Sequence, residues 1–381
     1  MSPTAADRAT KSSAERITTV QPALDRIAPL RALPPALPER CLYHAGPPFA
    51  ADQRPPKPVL NSMAMAAVFE GWAADPETAL DAFDAGDISL APAQDIGVVT
   101  PLAFVVGPST PCLSVKDLNG SGLSQIAPVN DGPLPDALRF GTGQPQGLAL
   151  LKTLADPVTP DLAAALRPDQ PLLPLLAKAL AGGDDLHGCV AAAQDQVLGL
   201  FTETLSDAAR NYIAAAGQFV LNIIMASSAL MLRAGAGVPD SRLVIAAGGN
   251  GIGFGIKLSS APEQWIQSPA NRPVGPLAEG IAATDILPAI GDSAVIDALG
   301  FGAACLRFSP SLLDAVGGAV DPGFAGPEAH GGYLCPHPDL TLPGLKLGLD
   351  SGASGYPRGV MLAMLDAAGE RGLLGRGIAG W

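Results

Sequence analysis

The sequence predicts an α+β protein, two mixed α/β regions with a helical insertion between them. Three observations carry this. Short β-like runs alternate with helical spacing over residues 41–146. Strand signals then vanish over residues 147–235, where apolar residues recur at helical intervals, and strands divided by Gly-rich turns return over residues 236–381. A chain of 381 residues exceeds what one compact core usually holds, and 48% hydrophobic against 15% charged residues points to extensive burial or subunit contact.

Residues 1–40 are polar and then Pro-rich, and read as an N-terminal tail with a short helix and a linker. In the first region a helix is expected over Val59–Ala74, with strands over Ile88–Ala93, Gly97–Val106 and Cys112–Leu118. In the middle, Thr159-Pro160-Asp161 starts a helix; helical spacing covers Asp161–Leu166, Leu172–Leu180, Cys189–Thr204 and Asp207–Arg233, broken at Gly182-Gly183 and closed by Gly235. The third region is expected to hold strands over Arg242–Ala247, Gly253–Leu258 and Ala303–Phe308 and to close on a helix, Gly359–Ala368.

A formal net charge of −13 repels phosphate backbones and anionic lipid, which argues against nucleic acid and membrane as partners and for a small-molecule substrate. The uncharged run Tyr212–Leu232 is long enough to span a bilayer. Its Gln218, Asn222, Ser227 and Ser228, and the lack of a second such run, favour a buried core helix. Five scattered Cys without a CxxC pair signal neither disulfides nor structural zinc, and the N-terminus has no secretory h-region, so a cytoplasmic protein is expected.

Familiar catalytic motifs are absent. The glycines of Gly248–Gly255 do not match a dinucleotide fingerprint, and Ile256 rather than Gly precedes Lys257, so a P-loop fails too. Ser293 lacks the final Gly of a nucleophile elbow, and the four His form no HExxH. No cofactor and no metal are therefore expected.

What remains are polar groups at five glycine-punctuated breaks, where backbone N–H groups are free to meet an anion or oxyanion. They are Tyr43-His44-Ala45-Gly46-Pro47-Pro48; Asn130-Asp131-Gly132 with Arg139 and Gly141; Gly183-Asp184-Asp185-Leu186-His187; Gly248–Gly255, with Asn250 and Gly251; and Asp285 with Gly291-Asp292-Ser293. Each also reads as an ordinary turn or cap. Asp184 and Asp185 fit a helix cap, His187 fits a neutral acid–base or a structural imidazole, Cys189 a buried thiol or a nucleophile, and Trp72 and Trp265 packing anchors.

These segments, in this order, resemble the family of the large subunit of oxamate carbamoyltransferase. The resemblance rests on His44-Ala45-Gly46-Pro47-Pro48, Glu70-Gly71-Trp72-Ala73, Leu138-Arg139-Phe140-Gly141 and Ala179 through His187. It continues in Phe219-Val220-Leu221-Asn222 with Met225-Ala226, Asn250-Gly251 with Phe254-Gly255-Ile256, and Gly291-Asp292-Ser293-Ala294. It implies a subunit that works with companion subunits, and as a homo-oligomer, to move a carbamoyl group between phosphate and a small carboxylated amide of the oxamate or oxalurate kind, in purine (allantoin) breakdown. On this reading His44, His187, Asp184 and Asp185 are catalytic candidates. Gly46, Asn130, Arg139, Asn222, Asn250, Gly251, Asp292 and Ser293 are substrate-binding candidates, with Arg139 the preferred clamp because a guanidinium binds carboxylate or phosphate bidentately.

The chain departs from the family's pattern over Ala93–Pro101, where a His pair before a Gly-Pro-Met turn is expected, at Asn130-Asp131-Gly132, where Asn-Glu-Gly is expected, and at Gly188-Cys189, where Asn-Arg is expected. The lost cations suit an amidohydrolase or ring-opening hydrolase as an alternative; a non-catalytic scaffold subunit is another. The first, third and fourth segments are expected to converge at one cleft roofed by the helical middle.

Overall fold

The computed structural model of the chain describes residues 3–33 and 36–381. Pro34 and Pro35 of the expected linker lie outside them. The fold is α+β, as the sequence pattern indicates. One antiparallel sheet has the order Ser124–Pro128, Pro111–Asp117, Pro22–Pro29, Gln170–Pro171; a second has the order Ile290–Gly291, Val244–Asn250, Gly253–Leu258, Ala261–Pro269.

Residues 22–29, read from sequence as tail and linker, are therefore an interior strand of the first sheet, paired from Pro22 opposite Asp117 to Pro29 opposite Pro111. The helix before them, Ala5–Ile17, begins with a reciprocal cap in which Thr4 and Asp7 each accept the other's backbone N–H. It is tied down by Ser13, which is buried and donates to the Gly235 carbonyl.

The helix Leu221–Ala234 lies between the two sheets and contacts both. It is apolar on every side until Arg233 in its last turn, and Asn222 through Leu232 are all buried, the burial expected of such a sequence. Of its polar side chains, Asn222 Nδ2 donates to the Pro128 carbonyl and Ser227 Oγ to the Ile223 carbonyl, both at 2.8 Å. Gly217, at φ +67, breaks the expected single helix, so that Asp207–Ala216 meets Leu221–Ala234 at 75°. No single helix among the described residues is long and apolar enough to cross a membrane.

A smaller core forms beside the sheets. The parallel strands Cys41–His44 and Ser89–Pro92 are joined through the helices Lys57–Phe69 and Pro76–Asp84, whose Val59, Met63, Ala67 and Ala79 pack beneath them.

Four expected elements take another form. Gly97–Val106 is no strand: Pro101 and Leu102, the latter at φ +48, interrupt it and leave isolated bridges at Val98 and Val106. Within Cys189–Thr204, helix is confined to Ala191–Gln194, which starts where Asp184 accepts the N–H groups of Ala192 and Ala193, and to a 3-10 turn at Val197–Leu200. Ala303–Phe308 lies in a 3-10 turn that begins at Gly302, at φ +58. Gly359–Leu365 is a strand paired along its whole length with Leu373–Gly380. It is buried on both faces, so its apolar run shows no alternation to separate it from a helix.

Candidate functional site

A cavity of about 630 Å³ opens where the second, third and fifth of the glycine-punctuated segments meet the start of the central helix and the C-terminal hairpin. Asn130, Arg139, His187, Asn222 and Ser293 line it, together with Met361, Leu362 and Arg376 from the hairpin.

Arg139 sits in a 3-10 turn, Leu138–Phe140, closed by Gly141 at φ +71; a Cβ on Gly141 would stand 2.7 Å from the Pro58 Cα, so only glycine fits. One edge of the guanidinium is pinned. Nη1 donates to Asp131 Oδ1 at 2.5 Å, to the Gly132 carbonyl at 2.7 Å and to Asn130 Oδ1 at 3.3 Å. Asp131 Oδ2 also accepts the Arg139 backbone N–H at 2.9 Å. Both partners are buried. Among the described residues Nε and Nη2 make no hydrogen bond, so the pinned side fixes the plane and the remaining donors are open to the cavity.

His187 follows Leu186, which is held at φ +68, an uncommon conformation for a branched residue. The turn beneath is organised by two buried aspartates. Asp185 accepts from the backbone N–H of His187, Gly188 and Cys189, and Asp184 from those of Ala192 and Ala193 and from the Cys189 thiol. Burial raises both carboxyls above the ordinary range. Asp184 and Asp185 thus shape the loop from behind, and neither lines the cavity.

The His187 ring is held by a residue that the sequence reading passed over. Nδ1 lies 2.6 Å from Asp297 Oδ2, while Asp297 Oδ1 accepts from the N–H of Ala303 at 2.7 Å and of Met361 at 3.1 Å. Asp297 is wholly buried. It was legible in principle: between Ala294 and Leu299 it is the lone polar residue in an apolar helix, and a buried carboxylate almost always has a specific partner. Arg376, exposed on the rim, was also missed; a single Arg in a Gly-rich strand carries no local signal.

The first and fourth segments meet elsewhere. Asn250 Nδ2 donates to the Pro47 carbonyl at 2.8 Å, and its Oδ1 accepts the N–H groups of Ile252 and Gly253, which closes the turn around Gly251 at φ +85. A Cβ on Gly46 would stand 2.6 Å from the Asn250 nitrogen, and one on Gly249 2.6 Å from the Ala289 carbonyl carbon. The glycine run therefore exists to let three backbones cross. Asp292 seals the crossing: Oδ1 accepts from Gly46 N–H at 2.8 Å and Gln94 Nε2 at 2.6 Å, and Oδ2 from Thr100 N–H at 3.0 Å. Burial pushes its carboxyl up to about 7.

His44 is buried against Phe49, with Nδ1 2.7 Å from the Ala45 carbonyl, and burial pushes it down to about 4, so it is neutral. Lys257 is engaged by Asp95 at 2.7 Å, beside Trp265. The expected convergence of the first, third and fourth segments is thus replaced by two clusters, with His44, Gly46, Asn250 and Gly251 in one and His187 in the other. Consecutive residues join them: Asp292 faces the crossing and Ser293 the cavity.

The arrangement offers an anchored cation, an imidazole held by a buried carboxylate and uncharged amide and hydroxyl groups around a pocket with much apolar wall. The family model described as oxamate carbamoyltransferase subunit AllG matches residues 88–293, more than half of the chain and all of the cavity's segments up to Ser293. The chain belongs to the AllG family. This bears out the resemblance read from the motifs.

Among its relatives, oxamate carbamoyltransferase subunit AllG of Escherichia coli (strain K12) is 28% identical over 316 residues, covering 80% of this chain and 75% of the relative. The uncharacterized protein YahG of the same organism is 25% identical over 384 residues, covering 97% of this chain and 79% of the relative. A crystal structure of a conserved protein of unknown function from Enterococcus faecalis V583 superposes with a TM-score of 0.88 at 22% identity, covering 100% of this chain and 96% of the other, and so shares the fold. Asp297 and Arg376 lie beyond the segment that the family model matches.

Proposed function

We propose that the chain is a cytoplasmic subunit of a carbamoyltransferase that moves a carbamoyl group between phosphate and the nitrogen of a small carboxylated amide. On this reading it works together with companion subunits and further copies of itself, in the breakdown of purine-derived ureido compounds. The family supports the reaction class. The observation that carries the reading is Arg139: its guanidinium is fixed on one edge by Asp131 and Gly132 and open to the cavity on the other, as a planar two-oxygen anion requires.

In the phosphorolytic direction the atoms balance simply. A hydrogen phosphate oxygen attacks the carbamoyl carbon, the bond from that carbon to the amide nitrogen breaks, and the proton of the phosphate ends on the departing nitrogen. Arg139 holds the carboxylate, the Asn222 and Ser293 side chains border the reacting group, and the enclosed pocket positions both anions.

The test is release of carbamoyl phosphate from oxalurate and a panel of related ureido acids, with the protein alone and co-expressed with its companion subunits. Release that requires phosphate is the expected result. Cleavage of the same compounds without phosphate would replace the reading with a hydrolase; no cleavage in any combination, with stable co-purification, would replace it with a scaffold.

A further inference from the structure

The carbamoyl-transfer chemistry above needs one group that can accept a proton from phosphate and then release it to nitrogen. A histidine does this in one cycle only if the nitrogen facing the reactants starts with a lone pair. Which nitrogen that is depends on what the other one touches.

At His187 the contact is unambiguous. Nδ1 points into the protein and meets Asp297 Oδ2 at 2.6 Å, whereas the residue's remaining surface lies on the cavity. A carboxylate oxygen accepts, so Nδ1 carries the hydrogen, and in the neutral ring Nε2 is the acceptor. Asp297 cannot swing away to relax this, because its second oxygen is held by the N–H groups of Ala303 and Met361. The helix that bears it is fixed as well, since the Tyr333 hydroxyl donates to the Asp297 carbonyl at 2.6 Å.

We propose that Asp297 is the positioning residue of the site: it keeps the hydrogen of His187 on Nδ1 and the lone pair of Nε2 toward the cavity. There Nε2 takes the proton of the attacking hydrogen phosphate and delivers it to the departing amide nitrogen. The role of Nε2 rests on the carbamoyl-transfer reading; the placement of the hydrogen does not. The other titratable groups around the pair are Asp185 in the same turn, Cys305 in the following 3-10 turn and Tyr333. None of them is hydrogen-bonded to the ring among the described residues.

Asp297→Asn is the informative change. Its Oδ1 retains the two backbone donors, while an N–H2 group replaces the oxygen facing His187. That group donates to Nδ1 and drives the ring hydrogen to Nε2, so Nε2 can no longer accept.

The experiment combines nitrogen-15 NMR of the histidine ring in the full chain with steady-state kinetics of the assembled complex. The unmodified protein is expected to show a protonated Nδ1 and an unprotonated Nε2 at neutral pH, and D297N the reverse. D297N is expected to lose about 10²–10⁴-fold in kcat with little change in KM, and His187→Gln to lose a similar factor.

A hydrogen on Nε2 in the unmodified protein overturns the proposal. So does a D297N protein that turns over normally. If D297N fails to fold, the ring signals of the unmodified protein and the kinetics of H187Q still decide. The expected ring signals together with no phosphate-dependent transfer would leave the placement of the hydrogen standing and remove the carbamoyl-transfer reading instead.

Discussion

Asp292 Oδ1 and the backbone nitrogen of Gly46 lie 2.8 Å apart although 246 residues separate them in the chain. This contact, with those to Gln94 and Thr100, makes one carboxylate the seal of a backbone crossing, and its ionisation is linked to folding. Its carboxyl is raised from 3.8 to about 7, so the folded chain holds this proton where the unfolded chain has lost it. The contribution is full below pH 3.8 and is lost as pH rises through 7.

Asp292→Asn removes that dependence and sets an amide N–H2 against the Thr100 N–H. Near pH 4 the variant is expected to be less stable than the unmodified chain by about 1–3 kcal/mol. The gap closes toward pH 8 and reverses at the full linked change of about 4 kcal/mol. His44, pushed down to about 4, contributes stability that is lost as pH falls from 6.5 through 4, but it is present in both proteins and cancels. Urea midpoints measured across this range decide; parallel profiles would contradict the linkage.

Gly46→Ala is expected to destabilise by about 2–5 kcal/mol. It combines a left-handed backbone at φ +79 with a methyl group driven into the Asn250 nitrogen. A fall in the urea midpoint at unchanged m-value reads this out. Gly71→Ala supplies the contrast: its φ is +73 but a Cβ meets nothing within 4 Å, so the loss is confined to the backbone, about 1–2 kcal/mol.

Arg139 separates folding from binding. Arg139→Gln leaves Asp131 buried without its cation and is expected to cost about 3–5 kcal/mol of stability. Arg139→Lys keeps a charge near Asp131 but gives up the open half of the fork. Its expected signature is a KM for the carboxylated substrate raised roughly 10–100-fold, with much less loss of stability. Equal KM values for Lys and Arg would remove Arg139 from substrate binding.

Arg376 is exposed at the rim and its side chain makes no hydrogen bond among the described residues, so Arg376→Ala is expected to change stability by less than about 0.5 kcal/mol. As a solvent-screened cation beside the cavity mouth it is expected to lower KM only a few-fold, about 2–5-fold. The dependence of kcat/KM on salt, compared between the two proteins, isolates that contribution.

Much of the architecture was legible where a pattern has one physical cause. The uncharged run around Asn222 could only be buried, and the strands Val244–Asn250 and Gly253–Leu258 sit where their β-rich runs and Gly turns place them. Gly359–Leu365 was misread because a strand covered on both faces has the same apolar run as a buried helix, and the pairing partner that decides lies beyond Asp366. Residues 22–29 were misread because a strand's place in a sheet is set by distant partners, here Pro111–Asp117.

The candidate site divides in the same way. Arg139, His187, Asn222 and Ser293 stand on the cavity, each beside a turn glycine or a helix start, and the partners of the first three, Asp131, Asp297 and the Pro128 carbonyl, hold them there. Asn250 and Asp292 share those local patterns but spend their polar atoms on backbone groups supplied by segments far away in sequence. Local sequence shows that a polar group sits at a break; it does not show whether another part of the chain will claim it. Asp297 is the converse case, a residue without a motif whose role comes from what reaches it across 110 positions.

The neighbouring positions Asp292 and Ser293 set how such a chain can change its chemistry over time. One holds strands together and the other touches whatever occupies the cavity, so adjacent codons lie under unrelated constraints. Exchange of Ser293, Leu362 or Arg376 would try new ligands on an unaltered frame, whereas any drift at Asp292 would have to be answered at Gly46, Gln94 and Thr100 together. A scaffold arranged in this way is free to diversify its substrates long before it diversifies its shape.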